Sequence, residues 1–481
     1  MKKSMPLGDL LAGLFSVNEA DKNINITGIS IDNRDVQPGD LFIFHKGDHF
    51  DPHTKFREIE KKAHAFISET PLDTNLPNYL IDNTNDVIGL IAARFYDNPT
   101  ESMTNVAITG TNGKTSVMKL ISHLLSTTDK SVADIGTNGI FLNNQEFETN
   151  TKTPTTPPPL ELQKIATELQ KQNNDYLLME VTSHGLDMGR TLGINFKYRL
   201  FTNLSKDHLD YHKTMDEYLN AKKILFDTAK ADEIAIVNAD SKYSKQIISD
   251  TKAEIITYAL DAPADFKAIN IEEDQFSTRF DLIFEDKQIA FETELIGRYN
   301  LYNILAAVIV AYQEGLTLEE IQTSIKSFKG IKGRLERVES SNVFIDYAHT
   351  PDALENVLKT VSKVTTGKVI SVFGAGGDRD KTKRPEMGLI AETYSDIPIV
   401  TSDNPRTEDP QLIIKDIVAG MNKEPLIYES RKNAIKEAIN LAQANDIVII
   451  AGKGQEEYQE INGVRYDFSD YKIAQAFLNE K

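Results

Sequence analysis

Along the chain, short apolar runs alternate with stretches in which apolar residues recur every three or four positions, the pattern of strands separated by helices. Asn105 to Ile108 is a β-prone run, and after a glycine-containing turn Val117, Leu120, Ile121, Leu124 and Leu125 fall on one buried helix face. Asp175 to Val181, Arg199 to Leu204 and Glu233 to Val237 predict further strands of the same, largely parallel sheet. Phe276 to Ile289 alternates polar and apolar residues between turns, which predicts antiparallel strands at the sheet edge, and a helix over Leu301 to Glu314 closes this unit. Beyond the Gly- and Lys-rich stretch Phe328 to Arg334 a new series begins. Its buried-strand candidates are Val343 to Tyr347, Lys368 to Phe373, Ile397 to Thr401 and Asp446 to Ala451, the signature of a doubly wound sheet with ligands at the carboxyl ends of its strands. The first hundred residues hold shorter β-like pieces, Ile26 to Ile31 and Asp40 to Phe44, around a Pro38-Gly39 turn. The polar, Pro-containing Asn98 to Ser102 marks a boundary near residue 100.

These patterns predict an α/β protein of three domains, a number that suits a chain of 481 residues. Residues 1–100 form a small α/β domain. Residues 101–332 form a central domain with a mainly parallel sheet plus a small antiparallel part, and residues 333–481 a doubly wound, Rossmann-like domain. Lys and Arg number 53 against 72 Asp and Glu, a net charge of −19. Such a surface repels nucleic-acid backbone and anionic lipid, so anionic small molecules must be met by local Arg, Lys and backbone N–H groups. There are no cysteines, which excludes disulfides and thiolate metal sites. Lys2 and Lys3 precede an apolar stretch, but Asp9 interrupts it and no small-x-small cleavage site follows, so it reads as an amphipathic helix. The longest apolar run, Ile304 to Tyr312, falls short of the roughly 20 residues needed to span a bilayer. A soluble, cytoplasmic protein is expected.

The candidate chemistry sits where strands end. Gly110, Thr111, Asn112, Gly113, Lys114, Thr115 and Ser116 lie between a strand and a helix N-terminus, where free N–H groups and the helix dipole favour an anion. Lys114 would reach the outer phosphates of a nucleotide and the Thr115 hydroxyl would hold Mg²⁺. The match is to G-x-x-G-K-[ST], with Ile108 where the longer phosphate-loop pattern has its first glycine. Glu180 ends one neighbouring strand, and Thr202 to His212 follows the other, so a carboxylate and the His208 imidazole project beside the phosphate turn as candidate Mg²⁺ ligands. His208 between Asp207 and Asp210 also reads as a helix N-terminal cluster. Lys222 and Lys223 read as a solvated helix face, and Thr155 and Thr156 of the stiff Pro154 to Pro159 loop as turn residues. In the last unit Asp346-Tyr-Ala-His-Thr-Pro351, Gly374-Ala-Gly-Gly-Asp-Arg-Asp-Lys381, Asp403-Asn-Pro-Arg406 and Gly452-Lys-Gly-Gln-Glu456 follow four strands. Arg379 and Lys381 are available for anions, Arg406 could grip a carboxylate bidentately and Glu456 could receive an ammonium. Each alone could be a capped turn; four on one sheet edge point to a common site.

The chain resembles the Mur ligases over essentially its whole length. The resemblance rests on Thr109-Gly-Thr-Asn-Gly-Lys-Thr115, Met179-Glu-Val-Thr-Ser-His-Gly185, Thr202 to His212, Gly333-Arg334, Asp346 to Pro351, Gly376-Gly-Asp-Arg-Asp-Lys381, Asp403 to Arg406 and Ala451-Gly-Lys-Gly454. It implies an ATP-dependent amide ligase of peptidoglycan precursor synthesis that adds meso-2,6-diaminopimelate to UDP-N-acetylmuramoyl-L-alanyl-D-glutamate through an acyl phosphate, with Mg²⁺ as cofactor and the chain a monomer. The small first domain would then take the uridine nucleotide. The resemblance implies that Gly110 to Ser116, Asn303, Arg334, Asp346 and His349 serve ATP. Ile31, Asn33, Thr155, Thr156, Thr182 and Arg190 would hold the muramoyl dipeptide, and Lys114, Glu180, His208 and Lys222 would be catalytic. Thr115, Glu180, His208 and Lys222 would serve the metal, Lys222 standing where the family has a carbamylated lysine. Arg379, Asp403, Asn404, Pro405, Arg406, Gly452 and Glu456 would form the amino-acid pocket, with Arg406 pairing the distal carboxylate that lysine lacks. Three positions depart from the family pattern: Asn33 in a stretch that is usually Asp-Ser-Arg, Thr182 at a serine position and Met188 where some relatives carry glutamine. The competing readings are the same reaction with L-lysine, a folylpolyglutamate synthetase, and a nucleotide-binding module without chemistry.

Overall fold

The structure, a computed structural model, describes residues 3–47, 51–149 and 154–480, with only the backbone at Asp210. Residues 48–50 and the side chain of Asp210, part of the acidic cluster around His208, therefore lie outside the described residues. Three large sheets organise the chain. The first has four parallel strands, Gly28–Ser30, Asp40–Ile43, Ala65–Ser68 and Asn78–Leu80, paired in that order. Helix Asn85–Phe95 buries Val87, Ile88, Ile91, Ala92 and Phe95 on a core shared with Leu7, Leu10 and Leu41. The amphipathic helix expected at the amino terminus is a single turn, Leu7–Leu10. A left-handed Gly13 denies the segment a second turn.

The second sheet has eleven strands. Thr104–Thr109 lies at its middle, flanked on one side by Tyr176–Glu180 and on the other by Tyr198–Phe201, both parallel to it. The strand order thus reverses at the glycine turn, which is where an open α/β sheet leaves a crevice. Outward from Tyr198–Phe201 run Ile234–Asn238, Glu254–Ala259 and Phe266–Glu273, still parallel, and then the antiparallel Thr278–Phe284 and Lys287–Thr293. The expected edge strands are there, starting two residues later and ending four residues later than their alternation suggested. Helix Arg298–Gln313 is apolar on every side from Ile304 to Ala311 because it is sandwiched between this sheet and helix Lys114–Leu125. It does not close the unit: a further helix, Leu318–Ser327, follows, started by a capping box between Thr317 and Glu320.

The third sheet runs Glu336–Arg337, Val343–Asp346, Ile447–Ala451, Val369–Phe373, Ile397–Thr401, Leu426–Tyr428, parallel except for the first strand. Its four central strands lie between two helical layers, buried throughout except at Ile397 and Pro398, and all four predicted loops leave from their carboxyl ends. A short hairpin, Tyr458–Ile461 with Val464–Asp467, folds back over that edge.

Candidate active site

The phosphate turn is held by its neighbours. Gly110 and Gly113 have φ of 147° and 89°, and a Cβ on Gly110 would lie 1.9 Å from Thr202 Oγ1, while one on Gly113 would lie 2.5 Å from Asn303 Oδ1. Only glycine permits either approach. Thr202 Oγ1 and Asn203 Nδ2 donate to the Asn112 carbonyl at 2.6 and 3.0 Å, and the Asn112 amide donates to Asn203 Oδ1 at 3.0 Å. This explains why the expected strand Arg199 to Leu204 ends at Phe201: the residues after it leave the sheet to clamp the turn. Lys114 Nζ donates to the carbonyls of Gly110 and Thr111, both at 2.9 Å, and burial lowers its pKa against the pull of Glu180 and Asp207. Thr115 and Ser116 are buried in the first turn of the helix.

Thr115 Oγ1 donates to Glu180 Oε1 at 2.8 Å, and Thr137 donates to the same carboxylate through its amide and its hydroxyl at 3.1 and 2.9 Å. His208, in the left-handed region at φ 54°, caps the short helix Leu209–His212, so the metal-ligand and helix-start readings describe one place. Its ring stands 5.0 Å from that of His184; desolvation, with His184, Lys114 and Lys222 adding to it, pushes its pKa down to about 4. The ring is therefore neutral, with a lone pair to offer. Lys222 overturns the solvated-face reading. It is 1% exposed because its helix turns this side inward onto the phosphate turn, where Nζ donates to the Gly110 carbonyl at 3.1 Å and lies 4.6 Å from the Tyr218 ring centre. Burial and the nearby Lys114 drive its pKa well below the ordinary lysine value. Lys223 is the member of the pair that faces outward, to Asp227 and Asp250.

Among the described residues, no group of three or more His, Asp and Glu forms a ready metal site. The donor set still suits Mg²⁺, a cation that keeps several waters and is completed by substrate phosphates: a hydroxyl and a carboxylate converge beside the phosphate turn. An ammonium at Lys222 would repel such an ion. Its uncharged amine would not, and a carbamate formed on it would attract one.

Thr156 is buried and is more than a turn residue. Its hydroxyl donates to the Glu180 carbonyl at 3.0 Å, accepts from the Thr182 amide at 3.0 Å and lies 3.1 Å from the Thr182 hydroxyl. Arg190 Nη1 donates to the Thr156 carbonyl at 2.9 Å, and Nη2 lies 3.2 Å from Met188 Sδ. Thr155 Oγ1 is 3.3 Å from Thr137 Oγ1, and these residues form one wall beside Glu180. Ile31 and Asn33 follow strand Gly28–Ser30 in the first sheet, either side of Asp32, whose carboxylate is held by Arg34.

Across the cleft, Asp346 accepts the amides of Leu335 and Ala348 at 2.6 and 2.8 Å, and burial raises its carboxyl to about 6 against the pull of Arg334. Arg334 lies over the Tyr347 ring at 4.6 Å, and the His349 ring packs on the same tyrosine. Further along the edge, Arg406 sits at φ 51° with Nη1 donating to the Gly377 carbonyl at 2.6 Å, and Pro405 is buried behind it. Asp403 Oδ2 is buried without a hydrogen-bond partner, and Gly452 approaches it so closely that a Cβ would lie 2.5 Å away. Asn404 Nδ2 donates to Glu456 Oε2 at 2.8 Å. Arg379 is exposed but borders this group: a Cβ on Gly376 would lie 3.8 Å from Arg379 Cγ and 3.0 Å from Arg406 Nη1, and Lys381 is not a free cation, since it pairs with Glu408 at 3.0 Å.

Sequence reasoning passed over Lys453. It is 0% exposed and donates to Asn404 Oδ1 at 2.9 Å and Glu456 Oε2 at 2.8 Å. Its one signal was a lysine between two glycines at the end of a buried strand. Asp352, Thr137 and the hairpin were also missed; their partners lie far away in sequence.

A phosphate turn at the switch point of one α/β sheet, facing a cation- and acid-lined edge of another, is the arrangement of a nucleotide-using enzyme. Residues 108–311 match the Mur ligase middle domain and residues 333–454 the Mur ligase glutamate ligase domain. The UDP-N-acetylmuramoyl-L-alanyl-D-glutamate--2,6-diaminopimelate ligase of Aquifex aeolicus is 41% identical over 94% of both chains. The enzyme of the same name from Halalkalibacterium halodurans is 39% identical over 100% of both. A solved structure of a ligase of that name covers 99% of both chains with a TM-score of 0.74 and 32% identity. The chain belongs to the Mur ligase family.

Proposed function

We propose that the chain joins meso-2,6-diaminopimelate to UDP-N-acetylmuramoyl-L-alanyl-D-glutamate, using ATP, in the assembly of the peptidoglycan precursor. The observation that carries this beyond family membership is the charge pattern at the third sheet's edge: a backbone-anchored Arg406 beside a buried, unpartnered Asp403 oxygen and Glu456. A zwitterion at each end of the amine substrate matches that set. Lysine would leave Arg406 with only the Glu460 carboxylate, 4.0 Å from its Nε, which costs selectivity as well as affinity. Full-length relatives named for this reaction also set aside the folylpolyglutamate and non-catalytic readings.

In this reading a D-glutamyl carboxylate oxygen attacks the γ-phosphorus of ATP, and the bond to the ADP oxygen breaks. The substrate amine then adds its lone pair to the acyl carbon and loses a proton; phosphate leaves and the amide remains. Gly110 to Ser116 would cradle the phosphates, with Lys114 counter-charging the transferring group. Asn303, Arg334, Asp346 and His349 would complete the nucleotide site. Thr155, Thr156, Thr182 and Arg190 would orient the glutamyl end, and Ile31 and Asn33 the uridine end. Mg²⁺ would neutralise phosphate charge, held by Thr115, Glu180, His208 and a carbamylated Lys222. The uncharged Lys222 amine is the form that adds to CO₂: its nitrogen bonds the carbon, a proton leaves, and an anionic carbamate results. Arg379, Asn404, Pro405 and Gly452 would line the amine site with Asp403, Arg406 and Glu456. We place the domain boundaries at 100/101 and 332/333. We further propose a cytoplasmic monomer, since the substrates are charged, water-soluble small molecules and each sheet buries its core within one chain.

The test is phosphate release with ATP, the UDP-muramoyl dipeptide and each diamino acid in turn, for the wild type and Arg406→Ala. The wild type should prefer meso-diaminopimelate, and the variant should lose roughly 100-fold of that preference. Equal turnover of lysine by the wild type would remove the specificity assignment.

A further inference from the structure

We propose that Asp352 is a positioning residue that latches the third-sheet unit onto the phosphate turn, so that one carboxylate aligns the two halves of the ligase site; the inference rests on the ligase reading above. Asp352 stands in the first turn of helix Pro351–Val364, a helix already capped by Thr350. Its Oδ2 is spent on the other unit instead, accepting Asn112 Nδ2 at 2.7 Å and Ser205 Oγ at 3.0 Å. Asn112 belongs to the phosphate turn. Ser205 belongs to the loop that carries Asp207 and His208.

Those two loops are also fastened to each other. The Ser205 amide donates to Thr111 Oγ1 at 3.0 Å, and the Asn112 amide donates to Asn203 Oδ1. A single oxygen on the opposite unit thus reads the relative position of both, and it can be satisfied only when they are in register. On its own side Asp352 lies three residues after His349, so the same contact fixes the loop carrying Asp346, Tyr347 and His349. A second crossing, Gln455 Nε2 to Asn138 Oδ1 at 2.7 Å, ties the Gly452 to Glu456 loop to the turn beyond strand Val132–Gly136, so the two contacts together limit rotation of one unit on the other.

The latch is built to release. Burial raises the Asp352 carboxyl, Glu355 adds to the rise, and its donors across the cleft are neutral groups with no cation among them. Opening the cleft returns the carboxylate to water, which offsets most of what the two hydrogen bonds contribute. A contact of that kind selects a geometry without freezing it.

The test uses the full-length chain, whose lack of cysteines lets exposed Lys242 and Lys415 be replaced by cysteine and labelled as a donor–acceptor pair across the cleft. In that background, Asp352→Ala should lower the fraction of closed molecules seen with a non-hydrolysable ATP analogue. It should cut amide-forming kcat by roughly 10- to 100-fold, the usual loss from ångström-scale misplacement, with ADP affinity within about twofold of wild type. Asp352→Asn keeps an oxygen acceptor and should restore most of both. Ser205→Ala should slow the wild type and have little further effect on Asp352→Ala. Wild-type turnover and closure in Asp352→Ala, or a loss of ADP affinity as large as the loss of turnover, would overturn the latch. Closure is read with nucleotide alone, so it reports on the latch even if the wild type failed to use the diamino acid, a failure that would sink the ligase reading alone. Melting curves guard against unfolding, and Asp352→Asn keeps the idea falsifiable if the alanine variant proves unstable.

Discussion

Lys453→Met replaces a fully buried ammonium with an apolar chain of similar length, and its outcome tests whether the amine site is built around that charge. In the wild type Nζ donates at 2.9 Å to Asn404 Oδ1 and at 2.8 Å to Glu456 Oε2, beside the Tyr458 ring. A hydrogen bond to a charged group contributes about 1.5–3 kcal/mol, so two suggest a gross loss of about 3–6 kcal/mol. Glu456 retains Asn404 Nδ2 and is 19% exposed, so water takes back part of that, and about 3 kcal/mol is the expected net cost. Spread over a unit of about 150 residues, that lowers its unfolding midpoint by roughly 6–12 °C. The functional effect should be more selective. With Lys453 gone, Asn404 keeps only the Glu460 amide on Oδ1, at 2.9 Å, and the Glu456 carboxylate is held by Asn404 Nδ2 alone. Expected is a fall of roughly 10- to 100-fold in kcat/KM for meso-diaminopimelate, with KM for ATP nearly constant. Paired measurements of melting and steady-state kinetics decide it. A variant that melts with the wild type and keeps its amine kinetics would show that the lysine is a bystander and that the charge accounting is wrong.

Two other predictions follow from buried ionisable groups. Lys222→Ala should lose at least 100-fold in kcat, and ¹³C-bicarbonate should give the wild type, but not the variant, a carbamate resonance; full activity in Lys222→Ala with no such signal in the wild type would refute the carbamate assignment. Asp346 has a folded-state pKa of about 6 against an ordinary 3.8, so the fold binds its proton more tightly than the unfolded chain does. Its stabilising contribution is complete below about pH 4 and is lost as pH rises through 6, about 3 kcal/mol in all. The ligand-free wild type should therefore lose stability relative to Asp346→Asn between pH 4 and 7, and parallel stability curves for the two would contradict this.

The sequence made the strands and their ends legible because buried parallel strands are short apolar runs with little else in them. Thr104–Thr109, Tyr176–Glu180 and Ile447–Ala451 fall within a residue or two of where their hydrophobicity placed them. What stayed hidden depends on partners distant in the chain. The four-residue edge of the hairpin Tyr458–Ile461 has half-buried residues throughout and no alternation, and it forms because the Asn404 side-chain oxygen and the Arg406 backbone offer it partners. Lys222 looked like surface because composition cannot tell which of two adjacent lysines a helix turns inward. Asp352 and Asn112 are 240 residues apart, and nothing local to either marks the contact.

The hairpin's grip on Asp403 to Arg406 bears on any attempt to exchange substrate preference among relatives. Gln459 Nε2 holds the Asp403 carbonyl at 2.6 Å, the Arg406 amide reaches the Glu460 carbonyl at 3.0 Å, and the Asn462 amide returns to the Arg406 carbonyl at 2.6 Å. Arg406 keeps its left-handed backbone, and so its aim, through that splint rather than through its own four-residue stretch. Grafting the tetrapeptide alone into a lysine-using scaffold would transplant the letters and leave the guanidinium pointing elsewhere; the transferable cassette is the loop together with residues 458–467.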